Sequence, residues 1–344
     1  MAGLDVTREQ VLAFRRRVGA LDRRLAPGAS SVRRIAWAGL QDSVPRSALL
    51  SIHARVREAS PTVWAHESLV QVWGPRFTTY VVPEQDRAVF TLGRLPVDPE
   101  RRRFAEELAD RLERFLDGRR LTYREAGQAL GVHPSQLRYA APTGRVLLRW
   151  EGAGRPQVWT VPPPDVDPDQ ARLELARRYL HVFAPGTPQG FERWAGLTSG
   201  RGGPVLDALG DSVVPVRTPL GQGWILAQDE DDLRRPPTAT AAARLLPSGD
   251  AYYLLWGADR RLPVPDPARQ AQLWTSRVWP GAVLVAGEIV GTWRRAAHAV
   301  TITPWSRLPA DARRSVEEEA AALPLPDLDR DITVRWEPSA RLPG

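Results

Sequence analysis

Apolar residues fall three to four apart through residues 7–25, where Val11, Phe14, Val18 and Leu21 form one stripe behind Thr7, a residue able to cap the helix they predict. Ala26-Pro27-Gly28 breaks that helix. A second helix is expected over 32–40, behind Ser30-Ser31, and a third over 45–57. The run FTTYVV at 77–82 is β-branched and aromatic, the composition of a strand. Helix, helix, helix, strand is compatible with a winged-helix module over 1–98.

The pattern is sharper in the next segment. Residues 101–117 place Phe104, Leu108, Leu112 and Phe115 on one face, and Gly118 stops the helix. Thr122 can cap a short helix whose Ala126 and Leu130 face inward; Gly131 makes a tight turn, and Pro134 opens a second short helix ending near Tyr139. A hairpin follows, with strands over 145–150 and 157–161 around Glu151-Gly152-Ala153-Gly154. That order is the order of a winged helix, here over 99–164. Pro162-Pro163-Pro164 is a stiff linker. A third module over 165–235 is expected from helices at 168–183, 187–195 and 203–209 and a hairpin from 213–217 to 224–227. Leu173, Ala176, Leu180 and Phe183 form the stripe of its first helix. Asp229-Glu230-Asp231-Asp232 and Pro236-Pro237 read as the next linker. Over 236–344 the pattern turns to short strands at 252–256, 282–285, 288–293, 300–303 and 332–336, with one helix at 310–322. The fold class is therefore α+β: tandem winged-helix modules followed by a small β-rich C-terminal domain.

Composition narrows the chemistry. The 344 residues give room for about two to four domains, since single cores rarely exceed ~250 residues. There is no Cys, which excludes disulfides, zinc knuckles and thiol nucleophiles. There is also no Lys and no Asn, so all 47 basic residues are Arg and a Lys Schiff base is excluded. Residues 1–161 hold 26 Arg against 17 acids, a balance of +9; residues 162–344 hold 21 Arg against 23 acids, a balance of −2. An Arg-rich half suits phosphate binding, because guanidinium offers a planar fork of donors; arginine serving only solubility is the competing account. No run approaches the ~20 apolar residues that span a bilayer, and MAGLDVTREQ has no apolar core of a signal peptide. A cytoplasmic, membrane-free protein with double-stranded DNA as its partner is the expectation.

In the expected recognition helix, His133, Ser135, Gln136 and Arg138 can point outward, and Gln and Arg pair bidentately with adenine and guanine edges. Arg145 and Arg149 on the wing are placed for phosphates, and Arg46, Arg55, Arg76, Arg294 and Arg295 join the candidate DNA contacts. A winged helix used for packing or protein contact accounts for the same residues. No metal site is expected: His66-Glu67 is followed by Val at position 70, which breaks the two-His spacing, and 229–232 suits a solvated linker. Gln41-Asp42-Ser43, beside Arg46, has two readings, a cap for the helix that Pro45 begins or a functional site.

The stretch AWAGLQDSVPRSALLSIHARV at 36–56 resembles the signature of the AlkZ and YcaQ family of bacterial winged-helix DNA glycosylases. WGPRFTTYVVPEQD, GVHPSQLRYAAP, ARLELARRYLHVFAP, ARLLPSGDAYYLLWGADR and VLVAGEIVGTWRR are similar to family stretches at matching places. The resemblance implies three tandem winged helices and a β-rich C-terminal domain. It also implies removal of alkylated purines, crosslinks included, without metal or cofactor, by a monomer. The family motif is Gln-x-Gln or Gln-x-Asp; Gln41 matches its first residue, Asp42 its variable middle, and Ser43 stands at its second functional position. Phe77 and Tyr80 stand where the family strand motif has Gly and His. The hairpin over 283–293, with Arg294-Arg295 at its base, resembles a family element near DNA.

An N7- or N3-alkylated purine is already cationic and leaves readily. The site must then hold the lesion, stabilise positive charge on the sugar and place a water near C1′. The expected roles are Gln41 positioning the water, Asp42 supplying negative charge, and Ser43 bonding the water or capping the helix. Without Lys, a strand-cleaving lyase is not expected. A non-catalytic DNA-binding protein on the same scaffold, and a scaffold for protein partners, are the competing readings.

Overall fold

The computed structural model describes residues 4–152, 154–240, 242–326 and 330–338; Ala153 of the expected hairpin tip lies outside that set. Thr7 caps the first helix, Arg8–Val18, in a reciprocal box with Gln10, and the helix stops earlier than its apolar stripe where Ala20 turns left-handed (φ +52°) and the Leu21 N–H closes onto the Arg16 carbonyl. The second helix, Ala29–Ile35, is likewise shorter than predicted. Leu40–Gln41 leaves the helical pattern to pair with Val81 and Tyr80. Gly39 makes that exit at φ +71°, where a Cβ would lie 2.8 Å from the Tyr80 ring. The third helix spans Ser47–Arg55.

Two strands, Leu69–Trp73 and Thr79–Pro83, form the first hairpin; the former carries no clean alternation and was not predicted. Gln71 pairs with Leu148, so the hairpin continues into that of the second segment. The result is one six-stranded sheet ordered Leu40–Gln41, Thr79–Pro83, Leu69–Trp73, Val146–Arg149, Gln157–Thr160 and Leu121–Thr122. In that segment the long helix is Pro99–Leu116, and Thr122 and Glu125 form the capping box of Tyr123–Ala129. Gly131 turns at φ +64°, as expected. The next element differs: Pro134–Thr143 is a 3-10 run rather than an α-helix, and Pro142 inside it has no N–H to give an α-helical bond.

Helices Pro168–Val182, Pro188–Ala195 and Gly202–Asp207 precede the hairpin Val213–Thr218 and Gly221–Leu226, whose edge is extended by Leu4–Asp5 in parallel. The acidic run expected as a linker enters a short helix, Glu230–Arg234, where Asp232 accepts from Arg17. The C-terminal sheet is ordered Ala243–Leu246, Gly281–Val285, Glu288–Ala296, Ala299–Pro304 and Thr333–Trp336, covered by the helix Ala310–Ala321. The strand expected at 252–256 is absent. Tyr252, Tyr253, Leu254 and Leu255 form a buried turn followed by irregular chain, so their apolar run signals depth rather than extension. No helix of the described residues is long and apolar enough to cross a membrane.

One ion pair ties the N-terminal helices to the C-terminal part. The Arg55 guanidinium donates to both Asp250 carboxylate oxygens, at 2.6 and 2.7 Å, and Asp250 also accepts from the Ser51 hydroxyl at 2.8 Å and the Tyr252 N–H at 3.0 Å. Both side chains are buried. Arg55 is thus a core residue, and the expectation that it contacts DNA is corrected by its burial. Removing one partner strands the other charge, so Asp250→Ala should lose about 3–5 kcal/mol in urea unfolding. An apolar pair, Arg55→Met with Asp250→Leu, should recover most of that loss; equal stability of Asp250→Ala and wild type would refute the account.

Candidate active site

The residues around Gln41 come from distant parts of the chain. Its backbone is fixed by pairing with Tyr80, and its side chain by donors and acceptors of opposite kind. Arg76 Nη2 donates to Gln41 Oε1 at 2.6 Å, the Tyr80 hydroxyl lies 3.5 Å from the same oxygen, and Gln41 Nε2 donates to Ser43 Oγ at 2.7 Å. Guanidinium cannot accept, so the Gln41 carbonyl must face Arg76 and its amide must face Ser43. On the remaining side Gln41 lies against Gly249 (φ +79°), where a Cβ would come within 2.6 Å of Nε2. Gln41, Tyr80, Arg55 and Asp250 line a cavity of about 10 Å³, far too small for a base. Ser43, at the other end of Gln41, is exposed and open to an approaching nucleobase.

Arg76 is a clamp rather than the surface contact expected of it. It sits at φ +56°, followed by Phe77 at φ +57°, a left-handed pair of non-glycine residues that costs energy and is held by its surroundings. Its guanidinium stacks 4.4 Å above the Trp256 ring, and its backbone lies where a Cβ on Gly196 would come within 2.9 Å. Burial pushes its pKa down; Nη1 is buried without a hydrogen-bond partner.

Asp42 turns inward, contrary to the role expected of it. One carboxylate oxygen accepts the Ala48 N–H at 3.0 Å, at the start of the third helix, and the other accepts from Gln71 Nε2 at 3.0 Å. Gln71 in turn holds the Trp150 N–H at 2.6 Å, so Asp42 ties the 41–43 loop to the second wing. Burial pushes the Asp42 pKa up to about 6, against the opposing pull of those hydrogen bonds and of Arg46 and Arg149.

Three of the expected cations gather near this loop. Arg46 and Arg149 both lie over the Trp64 ring, at 4.7 and 4.2 Å, and Arg295 is close enough to Arg46 that burial and that neighbouring charge push its pKa down. The second wing reaches the same place, since a Cβ on Gly152 would come within 2.9 Å of Pro45. Arg294, next along the strand, is exposed and 3.5 Å from the Val278 carbonyl. Arg145 is occupied by Asp110 at 2.5 Å and by Glu113, which neutralise it. His133, Ser135, Gln136 and Arg138 lie on the 3-10 run: His133 Nδ1 and the Ser135 hydroxyl are 2.7 Å apart in a local cap, Gln136 is exposed, and Arg138 leans on Tyr139. No contact joins these four to Gln41 among the described residues. Among those residues there is also no group of three or more His, Asp or Glu placed to hold a metal. Sequence reasoning missed Trp64, Gly249 and the clamp itself; the spacing of Arg76 and Tyr80 within RFTTY was the available signal for the last.

A family model described as DNA glycosylase AlkZ-like matches residues 32–324. A relative from Streptomyces sahachiroi, "Interstrand DNA cross-link repair glycosylase", is 27% identical over 357 residues, covering 91% of this chain and 94% of the relative. The solved structure of Streptomyces sahachiroi DNA glycosylase AlkZ has the same fold, with a TM-score of 0.77 at 20% identity, over 97% of this chain and 100% of that one.

Two measurements check this geometry. Because the folded Asp42 pKa is raised from 3.8, its stabilisation is fully present below that value and is lost as pH rises through about 6. The Tm of wild type minus that of Asp42→Asn should therefore fall between about pH 4 and 7; a constant difference would contradict a perturbed carboxyl. Replacing Arg46 or Arg295 by Ala should each lower the salt slope of DNA binding by about 1, and Arg149→Ala, whose charge Glu151 partly offsets at 3.2 Å, by less, while Arg145→Ala leaves it unchanged.

Proposed function

The chain belongs to the DNA glycosylase AlkZ-like family, and from that premise we propose that it excises alkylated or crosslinked purines from double-stranded DNA by hydrolysing the N-glycosidic bond. The observation that carries the site assignment is the ordered chain Arg76–Gln41–Ser43, which ends on an exposed hydroxyl beside Arg46, Arg149 and Arg295. A cationic purine needs no strong acid to leave, so positioning suffices and no metal or cofactor is called for. Ser43 Oγ accepts from Gln41 and keeps its own proton and one further lone pair. It is the group that meets the water or the lesion, and Gln41 orients it. The arginines around Trp64 hold the phosphates on either side. We assign the 1–98, 99–164 and 165–235 segments to three winged helices and 236–344 to the C-terminal domain, acting together as a cytoplasmic monomer.

The inward turn of Asp42 favours one second reading. With the Asp42 carboxylate turned away from Ser43, the same surface would serve a protein that binds damaged DNA without cutting the bond.

Release of 7-methylguanine from alkylated duplex DNA under single-turnover conditions separates the two. Gln41→Ala and Ser43→Ala should each slow release by about 10²-fold while DNA affinity stays within about three-fold of wild type. Arg76→Met should slow it comparably by freeing the Gln41 amide to flip, and Arg76→Lys should restore part of the rate. Wild-type release by Gln41→Ala would refute the assignment; no release by wild type, with binding intact, selects the second reading.

A further inference from the structure

Beyond the Arg76–Phe77 turn, a cavity of about 800 Å³ opens between the long second-segment helix and the helices of the third; Phe77 lines it and Gln41 does not. Its volume is that of a small-molecule site. The walls are aromatic: the Phe77 and Tyr139 rings meet edge to face at 5.1 Å, and Phe104, 47% exposed, stands 6.4 Å from Tyr139. On a helix otherwise packed by Leu108 and Leu112, Phe104 is covered only in part, by Tyr139, and leaves much of its ring open to the cavity.

The polar lining is one-sided. Arg94 is 4% exposed and its guanidinium sits 4.6 Å from the Phe77 ring. Nε donates to the Ala195 carbonyl at 2.7 Å and Nη1 to the Trp73 carbonyl at 3.0 Å, while Nη2 has no hydrogen-bond partner and no carboxylate pairs with the group among the described residues. Burial pushes its pKa down to about 9. The two acids of the lining are already committed, Asp98 to the Arg101 N–H and Asp169 to Arg172. Arg101 and Arg201 stand exposed at the rim. A buried cation without a counter-charge is costly, and an anion brought into a low-dielectric cavity is attracted correspondingly strongly.

We propose that this cavity binds a small planar aromatic anion, its ring against Phe77, Phe104 and Tyr139 and its charge on Arg94 Nη2. The site is independent of base release.

The test uses the full chain and the fluorescent aromatic sulfonate 8-anilinonaphthalene-1-sulfonate. Binding should saturate at one dye per protein and be displaced by biphenyl-4-carboxylate at least about ten-fold better than by the neutral biphenyl-4-methanol, the discrimination expected of one buried charge-assisted contact. Phe104→Ala should weaken binding about five-fold or more, and Ala208→Trp, which fills the cavity from an exposed position, should abolish it with Tm unchanged. Both substitutions avoid the structural bonds of Arg94. Equal displacement by the acid and the alcohol would overturn the proposal, as would dye binding unaffected by Ala208→Trp. Displacement by unmodified duplex DNA would overturn it too, by making the cavity part of the DNA face.

Discussion

The placement of Gln41 depends on the buried pair between Arg55 and Asp250. Arg55 ends the helix that follows the 41–43 loop, and Asp250 follows Gly249, the residue against which the Gln41 amide lies. The pair therefore fixes the gap into which Gln41 fits. Buried ion pairs often contribute little net stability compared with apolar replacements, but they are directional. An apolar pair of equal volume would let the C-terminal part slide by a fraction of an ångström, enough to bring Gly249 off the amide or into it. Asp42 works from the other end of the same helix by holding the Ala48 N–H, so the helix is anchored at both ends by carboxylates that do not face the solvent.

Polarity follows from that confinement. A glutamine amide in isolation can face either way, and only its neighbours decide. Here a donor-only guanidinium decides, and the amide must then meet an acceptor at position 43. Glutamine, aspartate and serine all offer one. Against the Gln or Asp that the resemblance leads one to expect at position 43, Ser43 changes what lies beyond the acceptor, not the acceptor: serine adds a proton it can donate, where a carboxylate adds charge.

Local chemistry was legible in the sequence where the cause is local. Thr7 and Thr122 cap as expected, Gly131 turns the chain, and the long helices and most hairpins fall within a few residues of their predicted bounds. Elements decided by partners far along the chain were not legible. Leu40 looks helical until Val81 pairs with it, and the run at 252–256 looks like a strand although it is a buried turn followed by irregular chain. Arginine was the most misleading residue. Its excess in the first half reads as a DNA-facing charge, yet Arg15, Arg16, Arg55 and Arg94 are buried and spend their donors on carbonyls and carboxylates of the interior. In a chain without Lys or Asn, guanidinium also serves as the long-reach internal donor.

Beside the 41–43 loop the cations that remain after those buried groups are set aside are Arg46, Arg149 and, from the C-terminal part, Arg295, and that changes what the reaction must draw on. When a cationic base departs, it takes the glycosidic electron pair and becomes neutral, and the positive charge passes to the sugar. Glycoside-cleaving sites commonly answer with a carboxylate, but Asp42 is buried under the third helix, Asp250 against Arg55, and the exposed Glu151 of the second wing is paired with Arg149. Arg76 adds a positive charge of its own close by. The remaining source of negative charge is the substrate: phosphates held by Arg46, Arg149 and Arg295 lie within Coulombic reach of the sugar they flank. On this reading the arginines do more than supply affinity. On the proposed function, phosphates drawn against the Ser43 loop by these arginines would add counter-charge at the sugar, which favours duplex DNA over the modified nucleoside alone as the substrate.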